Sequence, residues 1–486
     1  MSELRKTISV PALIAIGAAG VIGSSWLYLG SEFFADFGAG GTILGFIIAT
    51  ALAACVALAY SALANRMPRA GGEIVYAVVA GNSFLGFIVG WLLIGAYASM
   101  VAFYVTATGR LLSTVWPELN SVALYSVGGE TIFLPIIAIG FALTLIVLAM
   151  NWFGAEFSSR AQLMLFSIMV IFAAAVVVAG FARGSFDNFW PMFDSASETS
   201  PVVSTLSFVL PAFSFLTGFG VVAILAEEAR ASAKRIGQIV VLSVVLAGAF
   251  YTIVLLATAW LLPWEEIAGM TNGTIEAFDV AGMPLLSTAA FLIGALGIVT
   301  TFIAVFSASS RLMFALARIE LLPPMLHKLD SKTGTPRNAL LFTTGIGLVL
   351  GLLGPGALVW FLNTIGVFIA IVWAVTVWAY YRLRSQGGLG PQPSRSWTTL
   401  LPAVGGIASV VIVFAALIPA SPMSLRWPFE YLIFIGWIAL GVVLYFRSPR
   451  RMPRTDVLRS LLGDYYDRQF GQTDSPTPPV EDHPVR

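Results

Sequence analysis

Gly17-Ala18-Ala19-Gly20-Val21-Ile22-Gly23-Ser24-Ser25 sits in the middle of an apolar stretch that carries no charge from Thr7 to Ser31. Pro211-Ala212-Phe213-Ser214-Phe215-Leu216-Thr217-Gly218-Phe219-Gly220 sits the same way in a second stretch, from Thr199 to Ala226. Each stretch is long enough to cross a bilayer as a helix, and each is interrupted by glycine or proline, which weaken a helix most. Unwinding in lipid frees N–H and C=O groups that are costly to leave unpaired, so an interruption needs something to satisfy them. A ligand does this well. The N-terminus of a half-helix offers N–H groups and positive dipole to a carboxylate, while exposed carbonyls suit an ammonium group or a desolvated cation.

The rest of the chain is built from similar charge-free runs. A charge at the bilayer centre costs about 2.5 to 3.5 kcal/mol, and a span needs about 20 apolar residues. Further runs extend over Phe37 to Asn65, Ile74 to Gly109, Thr131 to Ala155, Ala161 to Ala182, Ile236 to Trp264 and Val280 to Ser310. Asn338 to Tyr381 has room for two spans, divided by the turn signal Gly354-Pro355-Gly356, and Ser396 to Leu425 and Tyr431 to Phe446 complete twelve. Continuous runs of this length lack the alternating polarity of a β-barrel, so the predicted fold is an all-α polytopic membrane protein. The two interruptions fall in spans one and six, five apart, which points to inverted repeats of five helices with a substrate site between the breaks.

Composition narrows the function. Apolar residues make up 58% and charged residues 10%, against roughly 25% charged in soluble chains, which excludes a water-soluble globule. The 26 Lys and Arg balance 25 Asp and Glu to a net +1, so a nucleic-acid partner is not expected. A single cysteine, Cys55, forms no internal disulfide, and two histidines, His327 and His483, are too few for a zinc or di-iron enzyme. No phosphate-binding G-x-x-x-x-G-K-[ST] motif occurs, and no span holds paired carboxylates, so neither nucleotide-driven transport nor an intramembrane enzyme is expected. With the N-terminus placed in the cytoplasm and the spans alternating, every Lys and Arg except Arg110, Arg183 and Arg426 falls inside. That asymmetry predicts an even number of spans, both termini cytoplasmic, in the plasma membrane.

Several motifs resemble the amino acid, polyamine and organocation permease superfamily. Ile22-Gly23-Ser24-Ser25-Trp26 is similar to its first-span I-G-S-G motif, and Pro68-Arg69-Ala70-Gly71-Gly72-Glu73-Ile74-Val75-Tyr76 to its P-x-x-G-G-x-x-x-Y loop. Thr217-Gly218-Phe219 with Glu227-Glu228-Ala229 is similar to the sixth span, and Ser309 to Arg318 with Leu322-Pro323 and Gly334-Thr335-Pro336 to the end of span eight. The resemblance implies a LeuT-like 5+5 inverted repeat and alternating access, with spans one, two, six and seven rocking against three, four, eight and nine. Its cargo would be an amino acid or related amine. A transporter domain would occupy 1–446, with repeat one over about 9–183, repeat two over about 199–382 and helices eleven and twelve over about 397–446. The Pro- and Thr-rich segment 447–486 is expected to be a disordered cytoplasmic tail.

Carried over position by position, the resemblance places the substrate carboxylate on the amides around Gly23, Ser24 and Ser25. It places the amino group on the carbonyls of Val21, Ser214 and Thr217, and the side chain against Tyr104 and Val305. Gly218 and Gly220 complete the expected site. Many relatives have an acid where this chain has Gly220, and proton-coupled ones a lysine where it has Met169. The stripped site favours a zwitterion. A cation held by Thr300, Thr301 and the carbonyls of Ala18 and Val21 is the expected alternative to the lost lysine, leaving transport sodium-coupled or uncoupled, with a proton as the other coupling ion. Glu227 and Glu228, paired with Arg230, Lys234 or Arg235, and Arg69 with Glu73 are the expected cytoplasmic gate. An amine or polyamine transporter and a non-transporting amino acid sensor are the competing readings.

Overall fold

The computed structural model describes residues 4–24, 26–193, 199–389, 397–419, 421, 424–448 and 452–470. The first apolar stretch forms α1, Val10–Ala19, capped by the Ser9 hydroxyl on the Ala12 amide, and the chain leaves helical geometry after Gly20. It resumes in α2, Trp26–Arg66, which bends where Gly38 takes φ 69 and ψ 167, a conformation open to glycine. The bend divides α2 into segments 26–37 and 39–66. A short helix, α3 (Glu73–Ala80), precedes the long α4 (Ser83–Ser113). Then come α5 (Leu134–Trp152), α6 (Ala155–Arg183) and the one-turn α7 (Phe186–Phe189).

The second interrupted stretch is α8, Pro201–Phe215, followed by an unwound segment and the single turn α9, Val221–Ile224. It is followed by α10 (Ala233–Leu261), two short helices α11 (Trp264–Ala268) and α12 (Gly273–Val280), and α13 (Pro284–Arg318). The expected split around Gly354-Pro355-Gly356 is present, with α14 (Arg337–Gly351) and α15 (Leu358–Ser385) on either side of a 3₁₀ turn. The chain continues through α16 (Trp397–Leu417), α17 (Phe429–Arg447), α18 (Arg454–Leu462) and α19 (Tyr466–Phe470).

Among the described residues, nine helices are long and apolar enough to cross a membrane, and α1 and α8 are shorter apolar helices. The helices sort by burial. α4 and α13 pack against each other and are largely buried, whereas α6, α16 and α17 turn Ile171, Val178, Ile407 and Phe446 outward. An apolar exterior of this kind is what a lipid environment requires. The two interrupted helices both lie against α10 or α2 near the centre of the bundle.

Two expectations are corrected. The chain is not purely helical: Ala123–Val127 and Glu130–Phe133 form an antiparallel hairpin, β1 and β2, because Gly128 and Gly129 supply the two positive φ angles of a tight turn. The segment after 446 is not structureless throughout. α18 buries Val457, Leu458, Leu461 and Leu462 on one face, an i, i+1, i+4, i+5 stripe hidden in a strongly charged stretch. Arg69 Nε donates to the Leu461 carbonyl, and Arg454 donates to that of Gly81. Residues 471–486, with the Pro- and Thr-rich end, lie outside the described residues.

Candidate substrate site between two broken helices

The two interruptions touch. Gly218 has φ 110, and a Cβ there would overlap the Gly20 carbonyl oxygen, while a Cβ on Gly20 would lie 3.3 Å from the Gly218 oxygen. Close approach of two backbones is the reason for glycine on both sides. Between them lies a cavity of about 50 Å³. Its polar wall is Val21, Gly23, Tyr104, Ser214, Thr217, Tyr251 and Thr301, and its apolar wall is Met100, Phe103, Phe215, Leu362 and Ile365, with Gly20 at the junction. No charged side chain is among these residues.

The freed backbone groups of the first break are partly met by side chains from neighbouring helices. Tyr251 of α10 donates its hydroxyl to the Val21 carbonyl at 2.7 Å and accepts the Gly23 N–H at 3.0 Å. Thr301 of α13 sets its hydroxyl 2.7 Å from the Ala19 carbonyl and 2.8 Å from that of Ile22. Gly297, one turn earlier, lets α13 approach the Gly23 carbonyl. Two polar atoms beside the break, Ser24 Oγ and Trp26 Nε1, are fully buried without a partner among the described residues. Buried polar groups left unpaired are uncommon, and these two make the start of the second half-helix a candidate place for a ligand.

Of the residues expected at the site, Val21, Gly23, Tyr104, Ser214 and Thr217 line the cavity, and Ser24 is buried next to it. Ser25 lies outside the described residues. Gly218 joins the two breaks, and Gly220 lies beyond the cavity. Val305 is a correction: it is fully buried one helical turn past Thr301 and does not reach the cavity. The apolar wall and Tyr251 carry little sequence signal, although Tyr251 is the single tyrosine in the middle of its charge-free run.

The expected cation ligands do not assemble as a set. Thr300 turns its hydroxyl back to the Leu296 carbonyl at 2.8 Å, and its own carbonyl accepts from Gln162 Nε2. The Ala18 carbonyl accepts the N–H groups of Val21 and Ile22, and the Val21 carbonyl is taken by Tyr251. Of the two threonines, only Thr301 reaches the break, and it meets the Ala19 and Ile22 carbonyls instead of those of Ala18 and Val21. Among the described residues there is no group of three or more His, Cys, Asp or Glu that could hold a metal ion.

The end of the bundle that carries the N-terminus is closed by buried ion pairs. Arg311 of α13, 1% exposed, holds Glu228 in a two-point contact at 2.7 and 3.0 Å. Arg318 holds Glu227 the same way at 2.9 and 3.1 Å, with Arg69 Nε 3.5 Å away. Glu227 also accepts the amides of Leu4 and Ala70, and the N-terminal segment runs beside it through a bridge from Ile8 to Ala229. Burial would raise the Glu227 pKa, but Arg318 and then Arg69 hold it below the usual carboxylate value. The expected partners are therefore corrected. Glu227 and Glu228 do not pair with Arg230, Lys234 or Arg235, because the 3₁₀ turn at Ala226–Glu228 faces the end of α13. Arg69 does not pair with Glu73, which turns into the bundle.

A polytopic helical membrane protein with an uncharged cavity between two broken helices has the arrangement expected of a membrane carrier. The model of the amino acid permease family matches residues 8–440, and the chain belongs to that family and to the amino acid, polyamine and organocation superfamily. It is a transporter protein and not an enzyme. The branched-chain amino acid permease BcaP of Lactococcus lactis subsp. cremoris (strain MG1363) is 24% identical, over 92% of this chain and 95% of that protein. BcaP of Bacillus subtilis (strain 168) is 26% identical over 92% and 94%, and the glutamate/serine transporter AimA of the same strain is 25% identical over 92% and 83%.

Proposed function

We propose that this protein moves an uncharged, apolar α-amino acid across the plasma membrane by alternating access, binding it in the cavity between the two breaks. The observation that carries this reading is the lining: backbone and hydroxyl groups on one wall, Met100, Phe103, Phe215, Leu362 and Ile365 on the other, and no charge. A zwitterion is neutral overall and needs no side-chain counter-charge, whereas a dicationic polyamine would. The free half-helix start near Ser24 receives the carboxylate, and the carbonyls of Ser214 and Thr217 receive the ammonium group. The branched-chain permeases among the relatives agree with the apolar wall.

In this reading the chain crosses the membrane twelve times. α1 with segment 26–37 and α8 with α9 are the broken spans one and six, and the two five-helix repeats are inverted. The basic end, with both termini, faces the cytoplasm. The pairs Glu227–Arg318 and Glu228–Arg311 form the inner seal, joining the exit of span six to the end of span eight. Transport is independent of sodium, since Thr301 fills the space between the Ala19 and Ile22 carbonyls and Tyr251 takes that of Val21. In proteoliposomes, purified protein is expected to catalyse counterflow of labelled leucine equally well in sodium and in choline. Absence of counterflow overturns the transport reading, and a requirement for sodium overturns the coupling.

A further inference from the structure

Glu73 opens α3 directly after Gly71 and Gly72, whose φ of 92 and 37 swing the chain back into the bundle. The turn leaves Glu73 only 1% exposed. Its carboxyl rests against Gly220, at the end of the second break, where a Cβ would overlap Oε1. Any side chain at 220 would evict it. Tyr60 of α2 stands close enough to influence the same carboxyl, its hydroxyl buried without a hydrogen-bond partner among the described residues, and the Tyr60 and Tyr76 rings meet edge to face at 6.4 Å. Oε2 of Glu73 and the Tyr76 hydroxyl are buried without a partner among the described residues.

Among the described residues no cation answers this carboxyl. Arg69 and Arg318 are engaged by Glu227, and Arg311 by Glu228. Arg382 of α15 and Arg454 of α18 bond the carbonyls of Ala80 and Gly81 at the far end of α3. The other titratable group that senses Glu73 is Tyr97 of α4, and Thr376 of α15 faces Tyr60. The carboxyl therefore sits where α2, α4, α15 and the second break converge, in a layer that must part if the basic end opens. Ionised there, it would be a buried charge without a counter-ion.

We propose that Glu73 is a proton-binding site built into the inner seal, holding a proton while the seal is shut and releasing it to cytoplasmic water when α3 and Gly220 separate. The proposal rests on the transport reading above. One O–H bond breaks on opening and re-forms on closing, with water as the other partner, so no net proton transport follows. Burial pushes the Glu73 carboxyl up to about 8, with its own backbone amide acting the other way, and hydration would return it to its ordinary value of 4.5. Between these values the shut form binds one more proton than the open form, so raising the pH favours opening. Above about 8 both forms are ionised and the effect ends. Glu227 acts in the opposite sense: its lowered pKa gives the seal a contribution that is lost only as the pH falls below the ordinary carboxylate range.

Two measurements on the full-length protein test this. In infrared spectra, wild type minus Glu73→Gln is expected to show one carboxylic acid C=O band at neutral pH that titrates away near pH 8. No such band overturns the proposal whether or not the protein transports. In proteoliposomes, wild-type counterflow is expected to rise by up to about tenfold per pH unit, the limit for one proton, and to level off at higher pH. Glu73→Gln should flatten that profile, Glu73→Asp should retain it, and Gly220→Ala, which displaces the carboxyl, should flatten it too. A Glu73→Gln profile parallel to wild type overturns the proposal, while absence of wild-type counterflow at every pH overturns the transport reading and leaves the infrared band to decide on Glu73.

Discussion

Gly218→Ala is expected to abolish leucine counterflow and to weaken substrate binding by about 10²-fold or more, the scale on which a displacement of about 1 Å acts at a reacting or binding centre. Gly218 holds φ 110, which alanine takes only with strain of about 1 to 3 kcal/mol. The larger effect is positional, because the new methyl group would overlap the Gly20 carbonyl and drive the two breaks apart. Gly345→Ala, on an open face of α14 with nothing within 4 Å of the added carbon, is the control. It is expected to leave counterflow intact and to alter stability by no more than about 1 kcal/mol. Equal counterflow in the two variants would show that contact between the breaks is irrelevant to the site.

Arg311→Met is expected to destabilise the protein by about 3 to 5 kcal/mol, because it strands the Glu228 carboxylate in a layer sealed from water. Glu228→Leu should cost a similar amount by stranding Arg311. The double variant should recover most of the loss, since a buried pair barely repays the desolvation of its two charges. A thermal-unfolding cycle of the four proteins in detergent measures the coupling. Additive losses would mean that the two side chains do not depend on each other. Exposed pairs such as Arg160–Glu156 on α6, with side chains 78% and 43% exposed, should contribute at most about 1 kcal/mol in the same assay.

What could be seen in the sequence depended on how local its physical cause was. Interruption of a helix by Gly20, Gly23 and Gly218 is a backbone property of a few neighbouring residues, so both breaks are legible in the sequence, as is the turn at Gly354-Pro355-Gly356, whereas α8 runs on through Pro211 to Phe215. Partners of the freed groups are not legible. Tyr251 reaches Gly23 across 228 positions and Thr301 reaches Ala19 across 282, and nothing local to either residue encodes that meeting. Charge density misled in two places. The cations nearest in sequence to Glu227 and Glu228 are Arg230, Lys234 and Arg235, whereas burial selects Arg318 and Arg311 from the end of α13. The stripe of Val457, Leu458, Leu461 and Leu462 in α18 is masked in the sequence by its charged neighbours.

The loss of an acid at position 220 is the clearest case of a correct observation with an incomplete meaning. Gly220 does lack a charge, yet the space beside it is filled by the carboxyl of Glu73 from the start of α3. The cavity itself remains uncharged, and the buried acid lies beyond it, beneath the second break. The uncharged cavity and the buried charges of α3 and α13 are thus separate features of this protein.

The most direct measurement is the thermal stability of the purified protein with leucine, with the amine left by its decarboxylation, and with the acid left by its deamination. A ligand that binds only the folded form stabilises it in proportion to its occupancy. Leucine is expected to raise the unfolding temperature while neither half-molecule does so at the same concentration, since each leaves one set of freed backbone groups unmet. Equal stabilisation by leucine and its amine would contradict a site in which the two breaks hold the two ends of a zwitterion.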